Sequence, residues 1–169
     1  MYSDHVRKTT ETILHGVSNR SSNNPLIIFV CGAKDSGKST YLRYLINQSL
    51  SHGNGQWKIS FLDCDIGQSE FTPSGSISII QNLNEPLFGP SASHLKKPFK
   101  SFYFGNIQVE NEQVVNYLNN VRSCLNSMHH SQNDLLLVNT MGWGAGTKRE
   151  KKYFVSSTIK FSFVFDYII

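Results

Sequence analysis

Gly32-Ala33-Lys34-Asp35-Ser36-Gly37-Lys38-Ser39 reads as a glycine, four residues, a second glycine, a lysine and a serine, and its flanks constrain the fold more than any other part of the chain. Directly before it, Leu26-Ile27-Ile28-Phe29-Val30-Cys31 is a continuous apolar run, the pattern of a central parallel strand covered on both faces. Directly after it the period changes. Leu42, Leu45, Ile46 and Leu50 share one helical face, Arg43, Asn47 and Gln48 lie off it, and Gly53 is the expected stop. Strand, glycine-rich loop and amphipathic helix together predict a phosphate-binding loop. The glycines let the backbone bend until successive amides point at phosphate oxygens, and the helix start adds positive character. Lys38 neutralises the outer phosphates, and Ser39 is placed to hold magnesium through its hydroxyl. The expected nucleotide contact is Gly32, Ala33, Lys34, Asp35, Ser36, Gly37, Lys38, Ser39 and Thr40.

A chain of 169 residues with 39% hydrophobic content suits one α/β domain with a buried core. Residues 1–25 read as a polar lead-in with weak helical spacing at Val6, Ile13, Leu14 and Val17. Residues 26–143 read as the phosphate-loop domain, and 144–169 as a tail. Trp57, Ile59 and Phe61 alternate with Lys58 and Ser60 in a second strand that delivers Asp63 and Asp65. Further strands are expected at Ser76–Ile80 and Ser101–Phe104, separated by a long loop carrying Pro86, Pro90 and Pro98. Asn111 is the expected cap of a helix with Val114, Leu118, Val121, Leu125 and Met128 on one face. Leu135–Val138 is a last buried strand, ending in Asn139 and Thr140. The fold class is an α/β sandwich of three layers with a mainly parallel sheet, whose strand ends carry the site.

The formal net charge of +4 permits an anionic partner without identifying one. Three cysteines, Cys31, Cys64 and Cys124, have no metal-ligand spacing and suggest a reducing compartment. No segment reaches the apolar length of a membrane span, so no membrane partner is expected.

Asp63 and Asp65 lie where a carboxylate can reach a magnesium shell or an attacking group; on an extended strand both would face one side and Cys64 the other. An acidic turn in solvent is the competing reading. The Asn-Lys-x-Asp pattern of guanine readers is absent, which argues against a GTPase. Trp143 is either a platform for stacking a base or a tryptophan of the core. His129 and His130 follow a helix and need no catalytic explanation.

Several segments together resemble the polynucleotide 5′-hydroxyl kinases, and within them the nucleolar ribosomal-RNA processing branch. The resemblance rests on Val30 to Thr40, on Phe61-Leu62-Asp63-Cys64-Asp65-Ile66-Gly67-Gln68-Ser69-Glu70-Phe71-Thr72-Pro73-Ser74-Gly75, and on Val138-Asn139-Thr140-Met141-Gly142-Trp143. It covers about residues 26 to 143. It implies transfer of the ATP γ-phosphate to the 5′-hydroxyl of an RNA or DNA end, with ATP and Mg2+ as cofactors. A nuclease or another ribosomal-RNA processing factor is the implied protein partner, and the nucleolus within the nucleus the implied location. By the same resemblance Lys38 stabilises the transferring phosphoryl, Ser39 and Asp63 serve magnesium, and Asp65 positions and deprotonates the hydroxyl. Gln68 supports that site, and Trp143 stacks on nucleic acid.

The chain departs from that pattern in places. Family members carry a further domain before the phosphate loop, and after Trp143 they continue into a helix, a strand and an arginine-bearing lid. Here Gly144 to Lys152 are small or basic and Phe161 to Ile169 are apolar, so no lid is located and a truncated domain is expected. Left unpaired, the apolar end would make the isolated chain poorly soluble. Ser74 replaces a usual proline, and Ile107-Gln108 offers no hydroxyl clamp. Two rivals follow: an ATP-binding fragment without turnover, and a small-molecule kinase or ligase on the same fold.

Overall fold

Among the described residues, the apolar patterning gives three α-helices and six strands. The computed structural model describes residues 3–19, 25–128 and 134–142 and the backbone of 165–168. In chain order the elements are α1 (Asp4–Ser18), β1 (Leu26–Cys31), α2 (Lys38–Gly53), β2 (Lys58–Asp63), β3 (Ser76–Leu83), β4 (Lys100–Tyr103), α3 (Val114–Asn126), β5 (Asp134–Asn139) and β6 (Phe165–Ile168). The strands form one sheet in the order β4-β3-β2-β5-β1-β6. From β2 through β5 and β1 to β6 the pairing is parallel, while β3 and β4 add an antiparallel flank.

Strand alternation sorts the core into two layers. Ile28 and Val30 of β1 and Leu135 and Leu137 of β5 face the side where Ile13, Val17, Leu42, Leu45 and Ile46 of α1 and α2 pack. Ile27, Phe29, Leu136 and Val138 face the other side, against Tyr117, Val121, Cys124 and Leu125 of α3. Each such buried side chain contributes about 1.5–3 kcal/mol. Helices on both faces of one sheet make the expected three-layer sandwich.

The lead-in is more structured than its composition suggests. Ser3 caps α1 by accepting from the Val6 N–H at 3.4 Å, and Asp4 sits in its first turn. Thr9 and Thr10 are buried alongside Ile13, Leu14 and Val17. Thr10 can be buried because its hydroxyl donates to the Val6 carbonyl at 2.9 Å, which leaves its methyl as the exterior of the side chain.

Several boundaries differ from the sequence reading: β3 runs on to Leu83, β4 is shifted by one residue, and three others have a local cause. Gly53 lies inside α2, and the stop is Asn54 and Gly55, whose φ values of 45° and 77° are left-handed. Gly53 is needed for space, since a Cβ there would stand 2.8 Å from the Trp57 ring. The cap ahead of α3 is Glu110, which forms a capping box with Gln113 across a short turn of 3-10 helix. Finally, β2 ends at Asp63, so Asp65 lies beyond the strand. At the apolar end, Phe165–Ile168 has a partner: its backbone pairs with residues 28–31 of β1. No described helix is long and apolar enough to cross a membrane.

Candidate active site at the carboxyl edge of the sheet

Strand register brings the motif residues to one edge. Val30 pairs with Asn139, and Asn139 pairs with Asp63, so the phosphate loop, the β2 carboxylates and the β5 end leave the sheet side by side. The Thr140 hydroxyl donates to the Val30 carbonyl at 2.8 Å, bracing the entry to the loop.

In the loop, Gly32 is buried while Ala33, Lys34, Asp35 and Gly37 are exposed. Left-handed φ at Asp35 (62°) and Gly37 (87°) turns the chain sharply into α2. The N-terminus of α2 has no side-chain cap and no acidic residue in its first turn. Its amides therefore remain available to an anion, and the helix dipole favours one. The Ser36 hydroxyl is buried with no hydrogen-bond partner among the described residues. An orphaned donor inside a positive cradle is what a phosphate oxygen would satisfy. Lys38 folds inward, its Nζ donating to the Ala33 carbonyl at 2.8 Å, and so stands within the loop. Ser39 is half-buried and Thr40 exposed.

The β2 end is built differently. Asp63 is fully buried, and both its oxygens are engaged: Oδ1 accepts from Asn139 Nδ2 at 3.0 Å and from the Asp65 N–H at 3.3 Å, and Oδ2 accepts from the Glu70 N–H at 2.6 Å. Burial pushes the Asp63 carboxyl up to about 7, against the pull of those hydrogen bonds. Asp65 is half-buried, and its Oδ1 accepts from the Gly67 and Gln68 N–H groups at 3.1 and 3.0 Å in a local turn. Its second oxygen is engaged by no described residue. Gln68 is exposed. Beneath these loops the Tyr117 hydroxyl donates to the Cys64 carbonyl at 2.7 Å, and burial raises both the Tyr117 phenol and the Cys64 thiol well above their ordinary ranges.

The phosphate loop, Asp63 and Asp65 therefore converge as the motifs imply, although Asp65 reaches the edge from a turn instead of a strand. Trp143, like His129 and His130, lies outside the described residues. Its neighbour Gly142 explains part of the motif: a Cβ there would stand 2.8 Å from Lys34 Cα and 2.9 Å from Lys34 N. The β5 end and the phosphate loop touch backbone to backbone.

Sequence reasoning missed a polar cluster around the buried Glu70, beside Asp63. Glu70 is bound by Arg43 of α2 through two parallel contacts, Nε to Oε1 at 2.8 Å and Nη2 to Oε2 at 2.9 Å. His94 Nδ1 meets Glu70 Oε1 at 2.5 Å, and His94 Nε2 meets the Phe88 carbonyl at 2.8 Å. Arg43 and Asn47 lie off the apolar face of α2, yet both hold the long loop, Arg43 through the Gly89 carbonyl and Asn47 through both backbone polar groups of Leu87. The three partners are 24 and 27 residues apart, so no local pattern announces them. Among the described residues no group of three or more His, Cys, Asp or Glu side chains could hold a metal ion, so an ion here would take most of its ligands from phosphate and water.

Comparison with known proteins agrees with this geometry. The family model described as the mRNA cleavage and polyadenylation factor CLP1 P-loop matches residues 32–166. Among curated relatives, the polynucleotide 5′-hydroxyl-kinase NOL9 of Bos taurus is 39% identical over 132 residues, covering 78% of this chain and 18% of that protein. The protein of the same name from Homo sapiens is 43% identical over 117 residues, covering 69% of this chain and 16% of that one. The chain thus spans less than a fifth of the length of these relatives. A solved Clp1p–Pcf11p complex superposes with a TM-score of 0.61 at 18% identity, covering 91% of this chain and 39% of that one, which shows a shared fold.

Proposed function

Because this chain belongs to the CLP1 P-loop family, we propose that it binds ATP with magnesium and transfers the γ-phosphate to the 5′-hydroxyl of an RNA or DNA end. The names of its relatives, polynucleotide 5′-hydroxyl-kinases NOL9, support this acceptor, and the motif resemblance to the nucleolar branch supports a role in ribosomal-RNA processing in the nucleolus. A nuclease or another processing factor would be its protein partner.

The observation that carries the reading is the pairing, on one sheet edge, of an uncapped helix start with a carboxylate, Asp65, whose second oxygen no described residue engages. The amides of the loop and Lys38 hold the outer phosphates and stabilise the charge that grows on the transferring group. Ser39, through its hydroxyl, and Asp63, whose two oxygens are held by Asn139 and the backbone amides of Asp65 and Glu70, would hold magnesium. When bound, magnesium neutralises the phosphate oxygens and orients them. Asp65 accepts the proton of the attacking 5′-hydroxyl through its second oxygen while its first stays fixed by two backbone amides. The hydroxyl oxygen bonds to the γ-phosphorus in line with the departing ADP. Gln68 supports this turn and Trp143 stacks on the acceptor.

Transfer of labelled γ-phosphate from ATP to a 5′-hydroxyl RNA oligonucleotide tests the reading. Lys38→Ala and Asp65→Asn should each lower it by about 10²–10³-fold while the fold remains. If the wild-type chain binds ATP but transfers nothing to RNA or DNA ends, it is a nucleotide-binding module instead.

A further inference from the structure

Glu70 touches no open space, being 4% exposed, and so contacts neither nucleotide nor acceptor. Its position is nevertheless unusual, because it ties the two halves of the site together. Its carboxylate is held by Arg43, four residues after Ser39 and hence one turn along the same face of α2. Its N–H donates to Asp63 Oδ2 at 2.6 Å. A continuous path therefore runs from Ser39 down one helical turn to Arg43, across to Glu70, and through its backbone to Asp63. The path joins the two side chains assigned above to magnesium, Ser39 in the first turn of α2 and Asp63 at the end of β2.

The cluster is closed on its far side. His94 bonds Glu70 through one ring nitrogen and the Phe88 carbonyl through the other, and the Lys96 N–H donates to the Phe71 carbonyl at 3.0 Å. Both partners of the His94 ring, the Glu70 carboxylate and the Phe88 carbonyl, are acceptors, so the ring bridges Glu70 to the long loop. The planar Arg43 fork fixes direction as well as distance, which a lysine could not do.

We propose that Glu70 is a positioning residue for the magnesium site: the Arg43–Glu70 pair sets the placement of Asp63 relative to Ser39. Outer partners of metal-facing groups commonly control affinity for the ion without touching it. The inference rests on the nucleotide-binding reading above and names a residue that neither the phosphate-loop motif nor the acceptor carboxylate includes.

Titrating the chain with a fluorescent ATP analogue, in magnesium and in chelator, separates this role from plain stabilisation. In Glu70→Ala and Arg43→Ala the tightening of binding by magnesium should fall about tenfold or more, with affinity in chelator unchanged within about twofold. Glu70→Gln keeps the packed volume and one acceptor for Arg43; it should recover part of the effect, and it carries the test if Glu70→Ala does not fold. Asn47→Ala loosens the same long loop from the same helix without touching Glu70, so it should lower the melting temperature and keep the magnesium effect. A wild-type magnesium effect in the Glu70 variants, or an equal loss in Asn47→Ala, would overturn the proposal. A wild-type chain that binds no nucleotide removes the reading, and this inference with it.

Discussion

After β1 the chain leaves Ala33, Lys34, Asp35 and Gly37 exposed and starts a helix with no side-chain cap, whereas after β2 it buries Ser69, Glu70, Phe71 and Thr72 within ten residues of the strand end. Both loops leave the same edge of the same sheet. The first leaves the Ser36 hydroxyl without a partner among the described residues and its helix start without a side-chain cap; the second engages both carboxylate oxygens of Asp63 and of Glu70. A loop that must grip a ligand cannot also satisfy itself, and a loop that must hold a carboxylate still cannot leave its neighbours free. The contrast separates the part of the site that binds from the part that positions.

Stability measurements sharpen that division most strongly. Glu70→Ala leaves the half-buried Arg43 guanidinium and the buried His94 ring without their shared partner and should cost about 3–5 kcal/mol in urea unfolding. Lys34→Ala, on the open loop, should stay within about 0.5 kcal/mol of wild type. Equal effects at the two positions would erase the distinction.

Asp63 gives the next largest effect, and it depends on pH. Its carboxyl titrates near 3.8 when unfolded and near 7 when buried. Between those values the folded state holds the extra proton, so stability falls as pH rises and the loss is complete above about 7. In chelator, unfolding measured at pH 5 and at pH 8 should differ by roughly 2–3 kcal/mol, lower at pH 8, and Asp63→Asn should flatten the difference.

The smallest effect tests whether the open loop has support of its own. Gly142→Ala places a methyl 2.8 Å from the Lys34 backbone, so the phosphate loop has to shift. Nucleotide affinity should drop by about fivefold, near 1 kcal/mol, with little change in melting temperature. Unchanged affinity would mean that the loop adapts without help from the β5 end.

These differences also explain what could be read from sequence. The phosphate loop, β1 and the apolar face of α2 are contiguous patterns in which each residue reports on neighbours at most four positions away. Helix α1 was underrated because two of its buried positions are threonines, which look polar until Thr10 bonds its own helix. Arg43 and Asn47 lay off the apolar face; only the tertiary path of the loop from β3 to β4 shows what they hold. His94 had no motif at all, and its meaning comes from a carboxylate 24 residues away. Asp65 kept its expected edge but lost its expected strand, because its own carboxylate takes the following amides and turns the chain.

The strand order has a further consequence, for how the molecule is made. The sheet neighbours of β1 are β5 and β6, and the hydroxyl that seals its end comes from Thr140, 110 residues later. On a ribosome working at about 5–20 residues per second, β1 emerges and waits about 5–20 s before β5 exists to pair with it. Until then an apolar strand with both edges bare must be shielded by α2 or by a chaperone, and its alternative partner is the same strand on another nascent chain. Yield in a host cell should therefore follow translation speed and chaperone supply, with the phosphate loop among the last parts to take its working shape.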